Sequence, residues 1–240
     1  MERLSSMKLI KGSVRVIPRC NPQAFIALSR KNPQDNVDMN RIFPGSDSGT
    51  PTFATAHAIW QETSGFGTLI DIHCCGYYGL PYLLATFSDH PPILDLANSI
   101  SFPYLIKSQG LRGQLFIEAC RRGQRSLLIE IPNGPSNGCL NLAIGNLCID
   151  SLLNFLRREG MLKGNYIHNP PEAFTVQTDV AVSESGLWLP EVALGNAAKK
   201  SQTLGHLNGK PVLSPVDGKV HLILPAAYVS EGREVAAIWS

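Results

Sequence analysis

The run Thr68-Leu-Ile-Asp-Ile-His73 is apolar except for Asp71 and its final histidine, and it constrains this chain more than any other segment. A strand without polar alternation is expected to be buried on both faces of a parallel sheet, with His73 at its C-terminal end. Open α/β sheets gather their ligands beyond the carboxyl ends of such strands. Further strands are predicted at Pro81 to Thr86, Phe102 to Ile106 and Ser126 to Ile131. Thr50-Pro51 has an N-cap residue followed by proline at the first helical position and opens an alanine-rich helix to about Glu62. Other helices are predicted near Ile93 to Ile100 and over Leu140 to Arg158. In the second, Leu140, Ile144, Leu147, Leu152, Phe155 and Leu156 form an amphipathic stripe that Gly160 ends. Strands alternating with helices give an α/β fold, a mostly parallel open sheet flanked by helices.

The ends of the chain differ in texture. Arg3 to Leu9 has helical apolar spacing and Gly12 supplies a stop, so a helix tail is predicted there. Ser13 to Ile17 is β-branched up to Pro18 and is predicted as a strand leading to Arg19, Cys20 and Asn21. A loop rich in Asn, Asp, Pro and Gly follows, from Asn32-Pro33 through Asp38 to Gly45, and loops of this kind often carry chemistry. Beyond Asn165 no helical period remains, and short β-like runs alternate with glycines. The division predicted is an α/β domain over 1–164 and a small all-β barrel or sandwich domain over 165–240.

Composition removes several classes of function. A net charge of +2, from 21 basic and 19 acidic side chains, provides no broad positive field for nucleic acid. The longest apolar stretches, such as Leu80 to Phe87, fall well short of the roughly 20 residues that span a bilayer. Met1 to Lys11 lacks an apolar signal core, so no membrane partner and a cytoplasmic location are expected. The six cysteines show no CxxC spacing and read as reduced thiols. In the adjacent Cys74-Cys75 pair, strand alternation lets at most one side chain approach any ion beside His73.

Three groups sit at or near predicted strand ends. His73 is either a packed histidine or a zinc ligand, with Asp71 a candidate to orient its ring. Glu130, ending an apolar strand, is either a salt-bridged structural group or a general base. Arg41 beside Asn40 either ties down its own loop or forks onto a carboxylate. His57, on the predicted helix, and His90, before two prolines, read as solvated or packing histidines.

The order Asn-Pro-x-Ala-Phe at 21–25, Arg30, Asp-Met-Asn-Arg-Ile-Phe-Pro-Gly at 38–45, Asp-Ile-His at 71–73 and Ile-Glu at 129–130 resembles the succinylglutamate desuccinylase and aspartoacylase family. That family belongs to the carboxypeptidase-like zinc hydrolases. The resemblance implies a zinc-dependent amidohydrolase that cleaves an N-acyl amino acid or related small amide. His73 would be a Zn2+ ligand, Glu130 the base, Asn40 and Arg41 the clamp on the substrate carboxylate, and Arg30 the group that polarises the scissile carbonyl. The family draws two further zinc ligands from a Gly-x-His-Gly-x-Glu type segment upstream of the Asn-Pro motif, and no histidine precedes Gly12 here. The metal site is therefore expected to be incomplete in this chain, which would begin within the helix that follows that segment. A non-catalytic descendant that binds small carboxylates or a partner is the alternative. The C-terminal Ser-Pro-Val-Asp-Gly-Lys-Val at 214–220 resembles lipoyl-type domains, which opens a third reading as a carrier-like scaffold. Lys199, Lys200, Lys210 and Lys219 lack the hairpin-tip setting such a carrier needs, so this region is expected to cap the active-site entrance. A homo-oligomer is left open.

Overall fold

A computed structural model describes residues 7–74, 78–86, 92–133 and 141–240 of the chain. Its first sheet has the strand order β1 (Thr68–Cys74), β4 (Arg125–Ile131), β2 (Tyr82–Ala85), β3 (Tyr104–Lys107) and β5 (Glu172–Phe174). The β1–β4, β2–β3 and β3–β5 pairs are parallel, whereas β2 and β4 run antiparallel. Five helices belong to this part: α1 (Pro22–Ile26), α2 (Pro51–Glu62), α3 (Pro92–Ser99), α4 (Leu115–Arg121) and α5 (Leu142–Arg158). Alternating residues of β4 serve the two faces. Leu127 and Ile129 join a core with Ile93, Leu96, Phe102 and Phe155, while Leu128 packs with Phe116 and Ile117 of α4. Leu69 of β1 faces α2 and α4 through Ala56, Ile59, Leu115 and Ala119.

Several sequence expectations are corrected here. Ser13 to Ile17 forms no strand. No described strand pairs with it, and Arg15 bonds instead to Glu62 at the end of α2. Of the predicted helix at Arg3 to Leu9, residues 7–9 are not helical and the earlier ones lie outside the described residues. β1 is not buried on both faces: it stands at the edge of its sheet among the described strands, and Ile72 is 51% exposed. Helix α5 is described from Leu142, after an Asn141 whose side chain caps the Ile144 amide. Leu140, Cys75 and His90 lie outside the described residues. Three elements were not anticipated, α1, α4 and the three-residue β5, the last of which carries the chain back into the first sheet.

The remaining strands form two antiparallel sheets. One has the order β10 (Lys210–Leu213), β9 (Thr203–Leu207), β7 (Gly186–Pro190) and β12 (Ala227–Val229). The other has the order β6 (Gln177–Ala181), β13 (Glu234–Trp239), β11 (Gly218–Ile223) and β8 (Ala197–Ala198). Trp188, Leu204 and Leu207 of the first share a single core with Val180, Val220, Val235 and Ile238 of the second. No helix among the described residues is long and apolar enough to cross a membrane.

Candidate functional site at the ends of β1 and β4

Parallel pairing aligns His73 with Glu130, and antiparallel pairing sets Tyr82 opposite Glu130 on the other side. Strand alternation therefore brings His73, Glu130 and Tyr82 into one row on the α4 side of the sheet, with Asp71 two residues before His73. His73 Nε2 lies 3.1 Å from Asp71 Oδ2, and its Nδ1 lies 3.9 Å from Glu130 Oε1. Burial alone would make His73 less basic. The Asp71 hydrogen bond and the charges of Asp71 and Glu130 outweigh that and raise its pKa. Burial also raises the Glu130 pKa, against the opposing pull of His73. Its Oε2 is buried and has no hydrogen-bond partner among the described residues. Cys20, packed near Asp71, is held protonated by burial and by that carboxylate, with its pKa pushed up to about 11.

The loop carrying Arg30, Asn40 and Arg41 is tied down locally. Asp38 accepts from the Asn40 amide at 3.0 Å and from Arg30 Nε at 2.8 Å. Arg30 is mostly exposed, yet its charge acts on both His73 and Glu130, so the structure brings it to the same site. Asn40 Oδ1 accepts from the Leu115 amide at 2.9 Å, capping α4 from 75 residues away. A carboxylate ligand would therefore meet the NH2 end of Asn40. Arg41 is exposed and donates to its own neighbour's carbonyl, Asn40 O, at 2.6 Å.

Sequence reasoning missed the second support of this loop. Phe43 donates to Gly113 O at 3.0 Å, and a Cβ on Gly113, at φ +81°, would lie 2.1 Å from Arg41 O. Only glycine permits that approach. Glu118 then holds the turn by accepting from Arg112 Nε at 2.6 Å, Arg112 Nη2 at 3.2 Å and the Gly113 amide at 3.0 Å. Gly110 and Gly113 could have marked a turn by composition, but nothing local names the loop that turn meets. His57 lies on α2 within reach of Gln61, away from the row.

A metal at His73 would need further donors beside it. Among the described residues no group of three or more His, Cys, Asp or Glu side chains is disposed to hold a metal ion. Catalytic zinc takes three protein ligands, and one imidazole with carboxylates that already pair with it falls short. The described residues alone do not fit a catalytic zinc centre.

A largely buried glutamate and a carboxylate-backed histidine thus stand side by side near the ends of two parallel strands of an α/β fold. The family model for the succinylglutamate desuccinylase/aspartoacylase catalytic domain matches residues 1–139, and the chain belongs to that family. An N-alpha-acetyl-L-2,4-diaminobutyric acid deacetylase from Halomonas elongata is 24% identical over 212 residues, 82% of this chain and 61% of that protein. The chain thus spans about three fifths of the length of this curated relative. A succinylglutamate desuccinylase/aspartoacylase from Rhodobacter sphaeroides shares the fold, with TM-score 0.76 and 21% identity over 93% of this chain and 74% of that one. The product-bound ectoine utilization protein EutE from Ruegeria pomeroyi does so too, with TM-score 0.76, 22% identity and the same coverage.

Proposed function

We propose that this chain carries the core of a deacylase that hydrolyses the amide of an N-acyl amino acid or related small amide. The observation that carries this reading is the His73–Glu130 pair, 3.9 Å apart, with Glu130 Oε2 left bare. A carboxylate with a raised pKa in a desolvated site accepts a proton from water and passes it to a leaving amine. Asp71 fixes the His73 ring. Arg41, with the Asn40 NH2, would receive the substrate carboxylate, and Arg30 would polarise the scissile carbonyl. Zinc dependence belongs to this proposal only if donors from outside the described residues join His73. The two C-terminal sheets are proposed as a barrel or sandwich that borders the site entrance.

A second reading, a non-catalytic protein that binds small carboxylates, is favoured by the incomplete donor set. Calorimetric titration of acetyl-aspartate, succinyl-glutamate and their methyl esters, with zinc present, separates the two. Both readings expect preference for free acids. Arg41→Lys keeps the charge but loses the planar fork, so affinity falls about tenfold, roughly 1.4 kcal/mol. Equal affinity for acids and esters, or an indifferent Arg41→Lys, overturns the clamp. Binding without release of free amine favours the second reading over the first.

A further inference from the structure

Residues 78–80, just before β2, are bonded to the C-terminal sheets. Gly79 forms a bridge with Leu222 of β11, Leu80 donates to His221 O at 3.0 Å, and Ile223 donates to Tyr78 O at 3.2 Å. Residues 78–80 are thus held by a strand of the C-terminal sheets before β2 begins. His221 lies where the β11–β13 register shifts between Val220 and Leu222, the extra residue of a bulge. Bulges re-aim side chains. Here the ring stacks on Trp239, with centroids 3.8 Å apart and planes at 14°, and meets the edge of Tyr82 at 5.2 Å. Tyr82 also meets Trp239 at 5.2 Å, and it stands opposite Glu130 in the ladder. The line from the C-terminal sheets to the site row is therefore Trp239, His221, Tyr82, Glu130.

We propose that His221 is an acid-sensitive latch that fastens the C-terminal sheets to residues 78–82 and so holds the strand-end site in place. The ring is 5% exposed, and its Nδ1 is buried with no hydrogen-bond partner among the described residues. Protonation puts an N–H on both ring nitrogens, and Nδ1 meets no acceptor among the described residues. Among the described residues, no carboxylate charge acts on the ring. β2 presents Tyr82, the 78–80 segment presents Tyr78, and β13 presents Trp239. Lys219 of β11 is paired with Glu172 of β5 at 2.7 Å and lies 5.1 Å from the centre of the Tyr104 ring. Burial accordingly pushes the His221 pKa down to about 4. Opening the latch returns the ring to water and its ordinary value near 6.5, so the open form binds the proton and the closed form excludes it. Closure is at full strength above about pH 6.5 and weakens as pH falls toward about 4, the opening constant rising about tenfold per pH unit in between.

Amide hydrogen exchange of the whole chain tests this through protection factors, which remove the intrinsic pH dependence of exchange. The Leu80 and Ile223 amides report the latch, and the Leu127 and Leu204 amides report the two cores. From about pH 7.5 to 5.0 the latch amides should lose about thirtyfold in protection, with the core amides changing far less. His221→Phe keeps the stack without a titrating group and should flatten that dependence. His221→Ala should leave the latch amides weakly protected at every pH. The latch is overturned if wild-type protection does not change with pH, if His221→Phe shows the same dependence, or if core and latch amides lose protection in parallel.

Discussion

Glu130 is the side chain on which stability and chemistry pull in opposite directions. Its carboxylate is buried beside one histidine with one oxygen unpartnered, an arrangement that costs free energy whenever the group is charged. Glu130→Gln removes that cost while filling the same space. The melting temperature should hold or rise, by about 2–4 °C for each kcal/mol relieved in a chain of this size. Any hydrolysis of N-acyl amino acids, with or without added zinc, should drop by at least about a hundredfold, the usual worth of a positioned base. A variant that melts several degrees lower with its turnover per folded molecule intact would make Glu130 a structural group. The strand-end positions of His73 and Glu130 were legible in the sequence because apolar runs fix where a buried strand stops. The bond from Asn40 to Leu115 was not, since nothing local relates residues 75 positions apart.

At the scale of elements, the loop bearing Asn40 and Arg41 has little core of its own and depends on two clasps. One is Asp35, which accepts from the Thr52 amide, both threonine hydroxyls at 50 and 52, and the Val37 amide, joining the loop to the start of α2. These bonds prevail over desolvation and lower its pKa to about 2, so this clasp is complete above the ordinary carboxylate range and is lost only as pH falls toward that value. The other is Glu118, buried beneath Arg112 and Gly113. Glu118→Ala leaves the Gly113 amide and Arg112 without their acceptor and should cost about 1–3 kcal/mol, as charged hydrogen bonds do. It should also loosen the Gly113–Phe43 contact, so that backbone amide signals from Asn40 to Phe43 shift in the NMR spectrum while those of β13 stay put. Unshifted loop signals would show that the loop stands without this clasp. Prediction from sequence succeeded where local preference and long-range pairing agreed, as in α2 and β4. It failed at Ser13 to Ile17, whose β-branched residues find no ladder among the described strands, because β preference expresses packing on a neighbour rather than an intrinsic backbone choice. It also failed at β5, three residues long, whose place in the first sheet is set by pairing with Tyr104 to Ile106.

For the whole molecule the question is whether the two cores unfold as one. Trp188 lies inside the C-terminal core, fully buried, with its indole N–H donated to Leu224 O at 3.0 Å. Trp239 is equally buried but stands at the junction, touching His221 of its own side and Tyr82, Tyr104 and Phe174 of the first sheet. Removing a buried tryptophan costs about 3–5 kcal/mol, so both alanine variants destabilise, and the position decides how. Trp188→Ala should lower the stability of the C-terminal sheets while the junction still transmits that loss, giving one cooperative calorimetric transition at lower temperature. Trp239→Ala removes the shared contacts themselves, and its endotherm should split into two, one for each core. The wild-type chain should melt in a single transition whose calorimetric and van't Hoff enthalpies agree. If Trp239→Ala also melts in a single two-state step, the aromatic junction is not what couples the cores, and the coupling would fall to the backbone bonds through residues 78–80 and the Lys219–Glu172 ion pair.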